Sequence, residues 1–259
     1  PAFEMFMMAI SLAVAAIPEG LPAIVTIVLA LGVQRMIKRQ AIIRKLPAVE
    51  TLGTATVIAS DKTGTLTQNE MTVTHIYVNN QLLQVTGQGY EPVGEFLRES
   101  GEVKEEPLSD QHLNLLLHGF ALANDAQFDA NSDGYAIIGD PTEGALVVLG
   151  AKAGIQVSDN GAYPRVDEIP FDSQRKRMTT LHRVDTLEDL ASVGVLDKDL
   201  VSFTKGAPDV LLPLCDHIYY QGEVRPLTDD DRESLLEINA ALGRDALRVL
   251  ALAFRNWES

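Results

Sequence analysis

A short polar segment early in the chain has the residue types of a phosphoryl-transfer site. Residues 55–60 are mostly apolar and predict a short buried strand, and the sequence DKTGTLT (residues 61–67) follows them directly. A carboxylate at the carboxyl end of a strand stands where α/β folds place their chemistry. Asp61 is therefore a candidate nucleophile that would form an aspartyl phosphate. Lys62 could neutralise the charge of the phosphoryl group, and Thr63 offers a further polar contact.

A second candidate site is a lone carboxylate in an apolar segment. Glu19 is the only charged side chain within residues 5–34. Pro18 and Pro22 flank it, and each removes a backbone donor and clashes with the preceding turn, so together they predict an unwound helix centre. An ionisable group deep in an apolar segment marks a functional site by default because an idle charge there is costly.

Unwinding would free backbone carbonyl oxygens beside the carboxylate, and such oxygens are ligands for a hard cation. The predicted cation ligands are the Glu19 carboxylate and the carbonyls of Val14, Ala15 and Ile17. The alternative is a kinked helix in which a protonated Glu19 packs against neighbouring groups.

The length of the apolar segment favours a membrane span, since about 20 residues cross a bilayer as a helix. Basic residues follow it between positions 35 and 45, and by the positive-inside rule they place the remainder of the chain in the cytoplasm. A signal peptide would be shorter and would begin with basic residues. A helix buried in a soluble protein would show more polar positions.

The charge is divided unevenly along the chain. The whole sequence carries −15, of which residues 1–50 contribute +2 and residues 51–259 contribute −17. This acidic balance argues against nucleic acid as the principal partner. Cys215 is the only cysteine, which excludes an internal disulfide framework and a multi-cysteine metal site.

The acidic part of the chain contains segments suited to a nucleotide. Phe171 precedes a basic trio at residues 175–177, and an exposed aromatic ring can stack on a base while nearby cations attract phosphates. Residues 201–208 predict a strand that ends in a turn containing Lys205 and Gly206.

Two helices are predicted in the same part of the chain. Residues 110–124 have apolar side chains at helical spacing. The sequence GDPTE (residues 139–143) is typical of a helix start, with Asp140 or Thr142 as the cap and Pro141 in the first turn.

The heptapeptide DKTGTLT resembles the phosphorylation motif of P-type ATPases. With AAIPEGLPA before it and KLPAVETLG between the two, residues 11–74 are similar to the calcium-transporting type II pumps of endoplasmic reticulum, secretory pathway and bacteria. The resemblance implies that the apolar segment is the fourth transmembrane helix and that Glu19 belongs to a calcium site. It also implies that Asp61 takes the γ-phosphate of ATP and that the Thr63 carbonyl helps to hold the catalytic Mg²⁺.

The resemblance continues through GDPTE, FDSQRK, KGAP and LRVLALA, in the family's order. The implied nucleotide-binding residues are Glu143, Phe171, Lys176, Lys205, Gly206 and Arg248. Among these, Phe171 is expected to stack on adenine near Glu143, and Arg248 is expected to reach the phosphates from a strand over residues 247–253.

The implied fold is α/β in three parts. These are a transmembrane helix (residues 1–36), the N-terminal part of a haloacid-dehalogenase-like, Rossmann-like phosphorylation domain (37–74), and an inserted α+β nucleotide-binding domain on an antiparallel sheet (75–259). The family's other helices, its actuator domain and the second half of its phosphorylation domain are missing from the sequence. We therefore expect a fragment of a longer pump.

The expected function is ATP-driven export of Ca²⁺ from the cytoplasm, in an integral membrane protein whose bulk is cytoplasmic. The expected partners are ATP, Mg²⁺, a divalent cation and the lipid bilayer, with Mn²⁺ or another cation as the alternative cargo. A chain that only binds ATP is a second alternative. A membrane-anchored phosphatase is disfavoured, because Thr63 occupies the place where related phosphatases carry a second Asp as general acid and base.

Overall fold

The computed structural model describes residues 2–129, 135–155, 164–190 and 193–258. Contacts within the chain divide it into two compact units, residues 1–66 (unit 1) and 67–259 (unit 2).

Unit 1 contains three helices: α1 Ala2–Ala15, α2 Leu21–Ile37 and α3 Pro47–Gly53. Between α1 and α2 the chain leaves the helical conformation, at the position where the sequence places its prolines. Pro22 occupies the first turn of α2, where a missing N–H costs nothing. Within the described residues, no helix unites the length and the apolar character that crossing a membrane requires.

The prediction of a strand over residues 55–60 was wrong. This segment runs without regular structure into a series of turns that begins after Asp61. A buried strand needs a neighbouring strand for its backbone groups, and every strand pair that the structure describes lies in unit 2. The apolar side chains are therefore exposed, as Ile58 illustrates at 91%.

Unit 2 is built from eleven strands and four helices within the described residues. The strands are β1 His75–Val78, β2 Gln81–Val85, β3 Phe96–Arg98, β4 Gln127–Phe128, β5 Ile137–Ile138, β6 Arg165–Asp172, β7 Arg177–Arg183, β8 Leu200–Gly206, β9 His217–Tyr220, β10 Glu223–Pro226 and β11 Ala251–Trp257. The helices are α4 Gln111–Leu122, α5 Pro141–Lys152, α6 Pro208–Leu211 and α7 Asp229–Arg244.

The main sheet of unit 2 has the order β11-β8-β7-β6, and all its pairs are antiparallel. Alternate residues of β7 are buried, which is the pattern of a strand with one covered face. This sheet and its helices confirm the α+β architecture on an antiparallel sheet that the sequence predicts for this region.

Helices α4 and α5 confirm the two helix predictions. Asp110 caps α4, and its carboxylate accepts from the backbone N–H groups of His112 and Leu113. At Gly119 a Cβ atom would stand 2.3 Å from the Leu252 side chain of β11 and 3.0 Å from the Phe203 ring, so a larger residue there would force these side chains to move. Phe203 of β8 is fully buried at this contact and belongs to one of the two apolar cores that the described residues of the unit form.

A smaller three-stranded sheet, β1-β2-β3, packs on the other apolar residues of α4 and on α5. Its first hairpin turns at Asn79 and Asn80, both of which have positive φ. Two successive residues with positive φ form the turn whose twist suits a two-residue hairpin. Hairpin β9–β10 pairs separately.

Candidate functional site

A buried ion pair lies where β8 meets α5. The Lys205 ammonium group donates to Oε1 of Glu143 at 2.6 Å, and the two side chains are only 6% and 16% exposed. Burial lowers the pKa of Lys205 from its usual value, while the pairing with Glu143 acts in the opposite direction. The site therefore holds one fixed positive and one fixed negative group next to each other.

The start of α5 positions Glu143. Asp140 is the N-cap, and its carboxylate accepts from the Thr142 backbone N–H at 2.8 Å. Pro141 occupies the first turn, as the sequence predicts. Glu143 thus stands in the first helical turn, where the helix dipole favours a negative side chain.

Arg248 contacts the same helix start, although its predicted strand begins later. Strand β11 starts at residue 251, so the prediction that Arg248 lies in a strand over residues 247–253 was wrong. Register explains the difference, since the last residue of β8, Gly206, pairs with Ala251 and leaves Arg248 beyond the sheet. The Arg248 guanidinium instead donates to the Thr142 hydroxyl at 2.9 Å.

Phe171 and Lys176 lie at the β6–β7 turn, and both are exposed, Phe171 by 61%. Gly206 brings this turn close to the end of β8. A Cβ atom at Gly206 would stand 2.7 Å from the Lys176 carbonyl oxygen and 2.9 Å from Cβ of Arg177. Only glycine fits there without moving the turn.

The structure therefore connects five of the six predicted nucleotide-binding residues through three contacts. Lys205 pairs with Glu143, Arg248 reaches the residue before Glu143, and Lys176 approaches Gly206. Phe171 supplies an exposed ring one residue before the turn that carries Lys176.

In unit 1, Asp61 begins a series of tight turns. The Thr63 backbone N–H donates to Oδ1 of Asp61 at 3.4 Å, and the Leu66 N–H donates to the Lys62 carbonyl at 3.0 Å. Gly64 has a φ of +73°, a conformation that glycine adopts without strain. Asp61, Lys62 and Thr63 are exposed.

The predicted cation ligands line one open concavity of about 620 Å³ at the helix break, together with Ile10 and Ser11. The Val14 carbonyl accepts from the Ile17 N–H at 3.1 Å, and the Ile17 carbonyl accepts from the Glu19 N–H at 2.9 Å. These two carbonyls were expected to be free. They are bonded because the break continues as tight turns, although a carbonyl oxygen keeps a second lone pair for a cation. Across the described residues, no group of three or more His, Cys, Asp or Glu side chains is arranged to hold a metal ion.

Residues 112–259 match the family model described as "P-type ATPase, cytoplasmic domain N". This match covers more than half of the chain. The chain belongs to the P-type ATPase family.

Curated relatives extend the similarity over both units. The chain is 48% identical over 257 residues to calcium-transporting ATPase 1 of Bacillus cereus, a match that covers 99% of this chain and 25% of that protein. It is 44% identical over 259 residues to the calcium-transporting ATPase of Bacillus subtilis (98% and 27%) and 42% identical over 253 residues to human calcium-transporting ATPase type 2C member 1 (96% and 26%). The chain thus spans about a quarter of the length of these P-type ATPases.

Two residues that the sequence did not single out connect the ion pair to the rest of this P-type ATPase domain. Asn124 donates through its side-chain amide to the Glu143 backbone carbonyl at 3.0 Å. Arg165 donates to the Asn124 carbonyl at 2.6 Å and to Asp125 at 2.7 Å, and it also bonds Glu168. A local sequence pattern cannot predict contacts between residues about 40 positions apart, so only the structure shows that Arg165 bonds Asn124 and Asp125.

Proposed function

We propose that the chain is the nucleotide-binding and phosphorylated part of an ATP-driven calcium pump. The observation that carries the proposal is the buried ion pair of Lys205 and Glu143, set beside an exposed aromatic ring and an exposed lysine. Lys205 supplies a buried cation, Phe171 an exposed aromatic face, and Gly206 a backbone that another molecule can approach closely. Together these features suit a nucleotide, which has a flat base and charged phosphates.

In this proposal unit 2 binds ATP. The adenine ring stacks on Phe171 and lies near Glu143, while Lys205 lines the inner end of the pocket. Lys176 and Arg248 attract the phosphates, and the backbone at Gly206 allows the nucleotide to approach. The acidic charge of the chain does not oppose binding, since the cations are concentrated locally.

We propose Asp61 as the phosphoryl acceptor. A carboxylate oxygen of Asp61 attacks the γ-phosphorus of ATP, the bond from that phosphorus to the β–γ bridging oxygen breaks, and ADP leaves with the electron pair. Water later attacks the aspartyl phosphate and releases inorganic phosphate. Lys62 balances negative charge, and Thr63 supplies no carboxylate for rapid hydrolysis, so the phosphoenzyme persists long enough for a conformational change.

The Asp61 turn suits Mg²⁺ because it offers oxygen ligands. The Asp61 carboxylate and the Thr63 carbonyl belong to one tight turn, as the bond from the Thr63 N–H to Asp61 indicates. Both are hard oxygen donors, and Mg²⁺ accepts few protein ligands because it retains several waters. When bound, the ion would offset the charge of the phosphoryl group.

We propose that the transported ion is Ca²⁺, with Mn²⁺ as the alternative. The relatives named as calcium-transporting support the choice, as do the oxygen donors at the break: the Glu19 carboxylate and the carbonyls of Val14, Ala15 and Ile17. In this view α1 and α2 are the two halves of one discontinuous span over residues 1–36. Discontinuous helices are how transporters expose backbone oxygens at membrane depth.

In this proposal the rest of the chain forms two cytoplasmic domains. Residues 37–74 form the N-terminal part of a haloacid-dehalogenase-like phosphorylation domain, and residues 75–259 form the nucleotide-binding domain. The pump is an integral membrane protein whose nucleotide-binding and phosphorylated parts face the cytoplasm.

Nucleotide binding is tested by isothermal titration of ATP into the chain. Loss of the stacking ring in Phe171→Ala should weaken binding about tenfold, since base stacking contributes about 1–3 kcal/mol. Val166→Ala, which shortens another exposed apolar side chain of β6, should leave the affinity unchanged. Equal affinity of wild type and Phe171→Ala would refute the assigned role of the ring.

Phosphorylation is tested in the complete pump with ATP labelled at the γ-phosphate. Asp61→Asn should abolish the acid-stable label, whereas Glu50→Gln, which removes another exposed carboxylate of unit 1, should retain it. Persistent label in Asp61→Asn would place the acceptor elsewhere.

A further inference from the structure

The turn that carries Lys176 is in an unusual conformation. Lys176 has a φ of +51°, in the left-handed region that residues with a side chain seldom occupy. Such a conformation persists only where neighbouring groups impose it.

Asp172 makes the bonds that close this turn. Its Oδ1 accepts from the backbone N–H groups of Gln174 and Arg175, at 2.9 and 2.8 Å. Its own carbonyl accepts from the Lys176 N–H at 2.7 Å. Three successive backbone donors therefore converge on one residue, and the chain enters β7 from this turn with Lys176 in the left-handed conformation.

The turn is also fitted to the end of β8. Asp172 pairs with Arg177 on one side, Arg177 pairs with Gly206 on the other, and the Ala207 N–H donates to the Lys176 carbonyl at 3.4 Å. A different conformation at Lys176 would turn that carbonyl away from Gly206 and Ala207. The conformation of the turn thus sets the position of the Lys176 side chain relative to Lys205.

We propose that Asp172 is a positioning residue for nucleotide binding, which holds Lys176 at the pocket through the turn rather than by touching the nucleotide. This inference rests on the proposed ATP site and adds to it a residue that would otherwise be counted as a repulsive charge near the phosphates. Asp172 is tolerated there because its carboxylate is engaged by two N–H groups of the turn.

A double-mutant cycle measured by titration with ATP tests the role. Lys176→Ala should weaken ATP binding about tenfold, as for loss of one charge-assisted contact. Asp172→Ala should weaken it by a similar factor, and Asp172→Ala with Lys176→Ala should be no weaker than Lys176→Ala alone. Asp172→Asn keeps the accepting oxygen and should restore binding to the wild-type level or better. Asp167→Ala is the control, because Asp167 is on the same strand and its carboxylate accepts from the Glu168 N–H rather than from the turn.

A spectroscopic measurement separates this inference from the ATP site itself. The backbone carbon-13 shifts of Lys176 should report a positive φ in the wild type and in Asp172→Asn, and lose that signature in Asp172→Ala, without any nucleotide present. Left-handed shifts retained in Asp172→Ala would overturn the positioning role, as would multiplied affinity losses in the double variant. Failure of the wild-type chain to bind ATP, with the shifts behaving as expected, would instead overturn the proposed function.

Discussion

The helices of the two units contrast sharply in how they treat apolar side chains. Helix α4 of unit 2 buries nine residues, whereas α1 and α2 of unit 1 contain no buried residue although they are the most apolar helices of the chain. Unit 2 therefore carries its own core, while the helices of unit 1 present apolar surface that water does not favour. The contrast indicates that unit 2 can fold around its own core, whereas α1 and α2 leave their apolar side chains uncovered.

The largest expected effect tests whether unit 2 depends on its own core. Phe203→Ala removes a fully buried ring and should lower the free energy of unfolding by about 4 kcal/mol. Trp257 is the only tryptophan, and it lies in β11, so its fluorescence during urea unfolding reports on unit 2 alone. Ile58→Ala in unit 1 is the matched control and should not shift the transition. A similar shift for both variants would remove the distinction between the two units.

The second-largest expected effect is a loss of stability of unit 2 at acidic pH, caused by protonation of His182. Burial, with the nearby charge of Arg165, lowers the pKa of His182 from 6.5 to about 4. The unfolded chain binds this proton at higher pH than the folded chain. The stabilisation from a neutral His182 is therefore complete above about pH 6.5 and is lost as the pH falls towards 4, by about 3 kcal/mol in total.

The measurement is the urea midpoint of Trp257 fluorescence as a function of pH. His182→Leu should flatten the curve between pH 6.5 and 4, while His217→Asn, which replaces an exposed histidine, should leave its slope intact. An unchanged slope in His182→Leu would show that this histidine is not the titrating group.

The third effect concerns the connection behind the ion pair. Arg165→Met leaves the Asn124 carbonyl and Asp125 without their partner and should lower the free energy of unfolding by about 2 kcal/mol. Arg183→Met breaks an exposed ion pair with Asp185 and should have no measurable effect. Equal stability of the two variants would show that Arg165 acts as an ordinary surface charge.

Local patterns in the sequence sufficed for helices α4 and α5 of unit 2. The apolar spacing of residues 110–124 predicts α4, and the cap and proline of GDPTE predict α5, because both depend on neighbours within one or two helical turns. The ion pair of Lys205 and Glu143 was reached through the resemblance, which named both residues but not their contact.

The errors lie where distant partners decide the structure. Residues 55–60 have the composition of a strand, yet a strand forms only with a neighbour to bond to. Arg248 lies outside β11 because the register with β8 decides where that strand begins. The contacts of Arg165 join residues about 40 positions apart, and the role of Asp172 depends on the conformation of a turn rather than on its composition.

Lys205 lies on β8, which is bonded along its length to β7 on one side and to β11 on the other. The backbone amides of β8 can exchange with solvent only when the sheet itself opens. The amides near Phe171 and Arg248 are less protected, because Phe171 is on the edge strand β6 and Arg248 is outside the sheet. Amide hydrogen exchange should therefore be slowest in β8 around Lys205 and faster at Phe171 and Arg248. A nucleotide bound at the proposed site could then leave by local opening at Phe171 and Arg248, while β8 stays bonded to both of its neighbours.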